Sequence, residues 1–180
     1  MIELGAFSRL VGQVLRSSKG IWHDRDLFIK QCVSLGVESL PLVLLVGVFT
    51  GAVTAWQAAY QIRDYLPLEL VGPGTFKSVV LEVGPVLTAL IIAGRVSASI
   101  AAEIGTMKVT EQIDALESMA ISSVRFLAVP RIAAMTLMMP VLVCQANFIA
   151  LIGAAFVSTV MRSMSSHQFW GLITNFFHVY

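Results

Sequence analysis

Arg95 is the most costly residue in this sequence to place. It lies inside Val83 to Ala102, a run with no other charge. A guanidinium at the centre of an apolar span costs roughly 2.5–3.5 kcal/mol on insertion scales unless it is paired or wet. Glu82 precedes the run and Glu103 follows it. If either one neutralises Arg95, the residue is a packing element. The functional alternative is a polar group in a cavity between helices, meeting a charged headgroup or gating it. Gln57 stands among apolar neighbours near the end of another such run, next to Trp56. It either hydrogen-bonds across helices or faces a cavity, and both readings stay open.

A second group of polar residues follows the Arg95 run. From Lys108 to Ile121 the apolar residues Val109, Ile113, Leu116 and Ala120 recur at helical spacing, while Glu111, Asp114 and Glu117 line the opposite face. Thr110 is a fair N-cap, with Glu111 at the first helical position complementing the dipole. Ser122 and Ser123 loosen the end, and Pro130 forbids continuation. Helices that lie on anionic lipid usually carry Lys and Arg. An acidic face therefore points to a protein partner with basic residues; an ordinary solvated loop helix is the plainer alternative.

Other chemistries are missing. No G-x-x-x-x-G-K-[ST] occurs, so the P-loop route to a nucleotide is closed. His23, His167 and His178 are not at ligand spacing with each other or with a cysteine, so no metal site is expected. No serine stands in G-x-S-x-G context. Hydrolytic chemistry and a cofactor on this chain are both unexpected. Cys32 and Cys144 sit beside or inside apolar sequence and read as packing residues.

The elements that must position these residues are membrane spans. The chain has 180 residues, 57% hydrophobic and 13% charged, with formal net charge +1. Mean hydropathy is +0.81. Soluble domains carry about 25% charged residues, so this chain lacks the means to cover itself in water. Its near-zero net charge also argues against a nucleic-acid partner. Ser39 to Ile62 carries no charge, and neither does Ile132 to Met161, which includes Pro140. With Val83 to Ala102 these make three candidate spans, each long enough for a hydrocarbon core of about 30 Å. Gly47 and Gly51 form G-x-x-x-G in the first, and Gly94, Ala98, Ala101, Ala102 and Gly105 form a small-residue stripe in and after the second. Both patterns let a neighbouring helix approach closely.

The segment 1–38 does not fit a cleavable signal peptide, whose apolar stretch lies nearer its start. Ile2, Leu4, Phe7, Leu10, Val11 and Val14 recur at helical spacing with Arg9 and Arg16 between them. That suits an amphipathic helix in the membrane interface. Arg9, Arg16, Lys19, Arg25 and Lys30 place the N-terminus in the cytoplasm by the positive-inside rule. The segment 103–131, with Lys108, Arg125 and Arg131, then lies on the same side, and 63–82 lies outside. The loop residues Pro67, Leu68, Leu70, Pro73 and Phe76 are unusually apolar and either meet lipid or another protein, or pack on the chain's own helices. Phe169, Trp170, Ile173, Phe176 and Phe177 share one broad face near the C-terminal end, and are expected to form an interfacial aromatic segment.

The run GPVLTALIIAGRVSASIAAEIGTMKVTEQIDALESMAI, followed by Pro130-Arg131, resembles the MlaE/YrbE family of ABC-transporter permeases. The similarity covers about residues 33–180, leaving 1–32 as the interfacial N-terminal segment of a single membrane permease domain. The A-G-R…A-E-I-G-x-M-x-x-T-E-Q block is highly specific. The uncharged runs predict an all-α integral membrane protein of about three transmembrane helices, and the resemblance implies that it resides in the bacterial inner membrane. It implies a homodimer whose interface holds phospholipid, a separate cytoplasmic ABC ATPase and an MCE-domain lipid-binding protein on the periplasmic face. Gln57, Glu82 and Arg95 match positions that line the lipid pocket or its gate. Glu103, Glu111, Gln112, Ala115, Leu116 and Met119 match the cytoplasmic motif and coupling helix between spans 2 and 3 that meet the ATPase. The family often has a basic residue just before Glu82, where this chain has Leu81, so an ion pair with that neighbour is not available. Family members continue with further hydrophobic segments beyond the position of Tyr180. The expectation is therefore a shortened product or a piece of a longer one. Two other functions compete: an ion-coupled secondary transporter relaying through Glu82, Arg95 and Glu103, and a membrane scaffold that transports nothing.

Overall fold

The computed structural model describes residues 25–62, 71–119, 123–160, 169–171 and 173–174, with Gly5 and Gly12 as isolated helical positions. The expected N-terminal interfacial helix lies outside these residues, as do Pro67, Leu68, Leu70, Ala120, Phe176 and Phe177. Among the described residues every regular element is helical and there is no strand. Helix α1 is Arg25–Leu35, followed by a 3₁₀ turn, Val37–Ser39. Helix α2 is Leu40–Ile62 and α3 is Val71–Ser78. A π-helical segment, Val79–Val83, joins α3 to α4, Gly84–Val109. Helix α5 is Gln112–Ser118 and α6 is Ser123–Val160. Three stretches are long and apolar enough to cross a membrane, Asp26–Ile62, Val71–Val109 and Phe126–Val160. The protein is a multi-pass, all-α membrane protein.

The chain divides into two compact units, Met1–Ser39 with Ala93–Pro140, and Leu40–Ile92 with Val141–Tyr180. The division follows charge. In the second unit the described residues carry only two charges, Lys77 and Glu82; all the others fall in the first unit. The second unit's three long segments are each roughly 20 residues, the length a helix needs to span the hydrocarbon. Arg95 falls in the first, charged unit, just past the boundary at Ile92. The sequence alone places it deep in an apolar span; the fold groups it with the polar residues instead.

In the second unit, α2 and α6 pack through glycine. A Cβ on Gly51 would overlap the Ala150 carbonyl oxygen, and one on Gly47 would lie 2.6 Å from Ile149 and 3.0 Å from the Ala146 carbonyl oxygen. Gly153 of α6 meets the Val48 carbonyl oxygen in the same way. The G-x-x-x-G of the first span is thus a helix contact, as its spacing predicts. Such contacts matter in lipid because tails are as apolar as leucine, so association depends on close packing rather than on expelling water. The stripe on α4 behaves differently: a Cβ on Gly94 or Gly105 would meet nothing within 4 Å.

A second packing centre joins Ala55, Ala154, Ala155, Phe169 and Ile173, with Phe76 against them. Phe169 is fully buried and stacks edge-on against Trp170, ring centroids 5.8 Å apart. Phe169 and Ile173 are therefore core residues, not the interfacial belt their aromatic neighbours suggest. The apolar stretch Val71–Ser78 is likewise a helix packed on its own chain, with Val71, Gly72, Pro73 and Thr75 buried. One face of it rests on the Phe169 ring, which lies 3.4 Å from where a Gly72 Cβ would stand. Pro130 does not end a helix; it and Pro140 lie inside the 38-residue α6. Each removes one backbone donor, a loss that helices within a packed bundle tolerate better than isolated ones.

Two substitutions test this packing. Gly51→Ala should destabilise the folded protein by about 1–3 kcal/mol, because backbone atoms of α6 cannot give way. Gly105→Ala should be neutral or stabilising by up to about 1 kcal/mol, since alanine is the better helix former. Unfolding midpoints in detergent, compared with the parent, check both; equal effects would contradict the assigned interface. Phe169→Ala should cost about 3–5 kcal/mol through the cavity it leaves, read in the same assay.

Candidate coupling helix, charged pairs and apolar groove

Helix α5 is short, and Ser123 of α6 donates its Oγ hydroxyl to Glu117 Oε1 at 3.3 Å. None of its residues is buried. Gln112 and Ala115 are exposed, Ile113 and Leu116 are half-buried, and Glu111, Asp114 and Glu117 all face outward. Met119, just past its end, is 61% exposed, and Val109, just before it, is 85% exposed. The result is a short helix of about two turns, with an acidic face and an apolar edge both available to a partner.

The turn into α5 departs from the expected cap. Thr110 does not cap it; its Oγ1 donates back to the Thr106 carbonyl at 2.8 Å, extending the preceding helix's bonding. Glu111 occupies the cap position instead, in the left-handed region with φ 58°. It is the only described non-glycine residue with positive φ. A glutamate there costs of order 1–3 kcal/mol, which the surrounding contacts must hold. The Glu111 amide donates to the Lys108 carbonyl at 3.2 Å and its carbonyl accepts from Ala115 at 3.0 Å. The chain thus changes direction within two residues between α4 and α5.

Two ion pairs organise the charged unit. Arg95 takes neither Glu82 nor Glu103. Its Nη2 lies 3.5 Å from Glu38 Oε2, and its Nη1 donates to Ser39 Oγ. Ser39 is buried and donates in turn to the Leu35 carbonyl at 2.7 Å. Arg95 is one-third exposed and Glu38 more than half, so the pair is open on one side. Nothing in the sequence spacing marks Glu38 as the partner; the pairing requires the fold. Glu103 instead pairs with Arg131 of α6, Oε2 to Nη2 at 2.6 Å. Arg131 is almost completely buried. The sequence marks it only as a loop charge and as part of the Pro130-Arg131 pair. Its position against Ile132, where a long uncharged run begins, is the signal that could have found it.

Gln57 and Glu82 are exposed, and both belong to the second unit. Glu82 lies within the π segment, a local irregularity that often marks functional helices. That segment ends at Gly84, whose amide donates to the Val79 carbonyl. Asn147 Oδ1 stands where a Gly84 Cβ would be, so only glycine fits. Beside it, Leu45, Val46, Phe49, Thr50, Val53, Thr54, Val83 and Leu87 line an open apolar groove of about 370 Å³. Gln57 and Glu82 are not among its lining residues. Among the described residues no group of three or more His, Cys, Asp or Glu is arranged to hold a metal.

Residues 28–180 match the model of the permease MlaE family. The chain is 38% identical over 149 residues to the intermembrane phospholipid transport system permease protein MlaE of Haemophilus influenzae, covering 83% of this chain and 57% of that protein. It is 38% identical over 144 residues to a probable ABC transporter permease protein of Rickettsia bellii, covering 80% and 56%. Against a probable ABC transporter permease protein of Synechocystis it is 34% identical over 176 residues, covering 94% and 67%. The chain thus spans little more than half the length of the first two relatives. With the acidic helix set between two spans and a family model matching from the first span onward, this chain belongs to the MlaE permease family.

Proposed function

We propose that this chain is the permease subunit of an ABC transporter that moves phospholipid between membranes. The observation that carries the reading is α5: a short helix between the second and third spans, with no buried residue and with acidic and apolar groups facing outward. A cytoplasmic ATPase with a basic, partly apolar groove is the partner it suits, since complementary charge steers such contacts and fixes their register. Glu111, Gln112, Ala115, Leu116 and Met119 form that contact, and Glu103 supports it from α4. ATP is hydrolysed on the partner, and this chain needs no cofactor of its own.

The apolar groove along α2 supports a lipid substrate. Its volume falls within the range of small-molecule sites, about 300–1,000 Å³, and its lining suits an acyl chain. We read Gln57 and Glu82, both exposed, as headgroup contacts, and Arg95 as a gate residue. In this reading a second copy completes the lipid cavity, an MCE-domain protein receives or delivers lipid on the outer face, and the complex resides in the bacterial inner membrane with the N-terminus in the cytoplasm. Lipid bound equally well in every state would shift nothing, so the cavity must change shape with the nucleotide state. The ion-relay reading lacks a geometric basis, because Arg95 is committed to Glu38 and Glu103 to Arg131.

The assignment of α5 is tested by Leu116→Arg in the full-length permease expressed with its ATPase. Affinity for the ATPase should fall at least tenfold, about 1.4 kcal/mol, while membrane insertion and yield stay unchanged. Unaltered co-purification of the ATPase would remove the basis for this reading.

A further inference from the structure

Helix α5 is carried at the tip of a chain excursion whose two legs are the end of α4 and the start of α6. The Glu103–Arg131 pair joins those legs. Glu103 lies six residues before the end of α4 and Arg131 eight residues after the start of α6. At 1.5 Å per residue the clasp sits about 9 Å from one end of the excursion and about 12 Å from the other. The Glu103–Arg131 contact therefore stands at the base of the excursion that carries α5, with the Ser123 hydroxyl donating to Glu117 at 3.3 Å nearer its tip.

The pair is asymmetric. The Arg131 side chain is 5% exposed and that of Glu103 is 45% exposed. Of the guanidinium's nitrogens only Nη2 has a partner; Nε and Nη1 are buried with none. A buried cation with one partner depends on that partner, since its loss leaves the charge uncompensated. The contact thus fixes how far the α4 leg can move from the α6 leg without being saturated by other bonds.

We propose that Glu103 and Arg131 are positioning residues for coupling: the clasp transmits displacement of α5 to the α6 span. The inference rests on the permease reading above. It gives Arg131 no contact with lipid or ATPase and no use for its idle donors. A lysine, which offers a single point charge and no Nε or Nη1, should therefore replace it. An uncharged side chain of similar length should not.

The experiment uses the full-length permease co-purified with its ATPase and reconstituted in phospholipid vesicles, with parent, Glu103→Gln, Arg131→Met and Arg131→Lys compared. Arg131→Met should keep ATPase stoichiometry within twofold, and both Arg131→Met and Glu103→Gln should move at least tenfold less fluorescent phospholipid per ATP hydrolysed. Arg131→Lys should restore that ratio to within threefold of the parent. A second readout needs no ATPase. Spin labels at Val109→Cys and Ser123→Cys, in a chain with Cys32→Ser and Cys144→Ser, report the separation of the two legs. The distance distribution should broaden with Arg131→Met or Glu103→Gln and stay narrow with Arg131→Lys. Should Arg131→Met fail to fold, Glu103→Gln at the half-exposed end carries both readouts. An unchanged lipid-to-ATP ratio in Glu103→Gln, a lysine variant as impaired as the methionine one, or unchanged leg distances would each overturn the proposal. Failure of the parent to hold an ATPase would instead overturn the permease reading, and the spin labels would still decide the clasp.

Discussion

Lipid cannot solvate charge, and that constraint arranges this protein. Within its apolar unit each long segment is about the length of one membrane crossing, and the described residues there hold only Lys77 and Glu82 as charges. The other described charges fall in the other unit. Arg95 and Arg131 illustrate the two ways of keeping a guanidinium near so much hydrocarbon. Arg95 stays partly exposed beside Glu38. Arg131 is buried and depends on Glu103.

Because the spans gain little from excluding water, their contacts depend on shape. Glycine at 47, 51 and 153 lets the backbones of α2 and α6 touch, and the hydroxyls of Thr54 and Ser158 turn back on their own helix carbonyls, at 2.7 Å and 2.9 Å, so that these donors are satisfied within the helix. Function uses the exceptions to that economy. The π segment before Gly84 and the left-handed Glu111 lie where a regular helix is interrupted, while Pro130 and Pro140 each remove a backbone donor inside the continuous α6. Two of them border the groove or the acidic helix. In a permease those are the places that must change when a partner's nucleotide state changes.

Composition and local pattern were enough for the class. Long uncharged runs, a G-x-x-x-G and an acidic amphipathic stretch between two spans are local patterns, set by hydropathy and helical period, and they survive in the structure. The family block could also be read directly, because its residues are contiguous. What a linear pattern does not carry is which charge meets which. Arg95 has carboxylates at both ends of its own run, yet it takes Glu38, which lies before the first span. Glu103, the nearer candidate, is held by Arg131. The same limit hid the buried role of Phe169 and the packed helix at Val71–Ser78, since an aromatic or apolar face looks alike whether lipid or protein covers it. These points needed the fold, because ion pairing and burial depend on distance in space, while hydropathy and period depend on order along the chain.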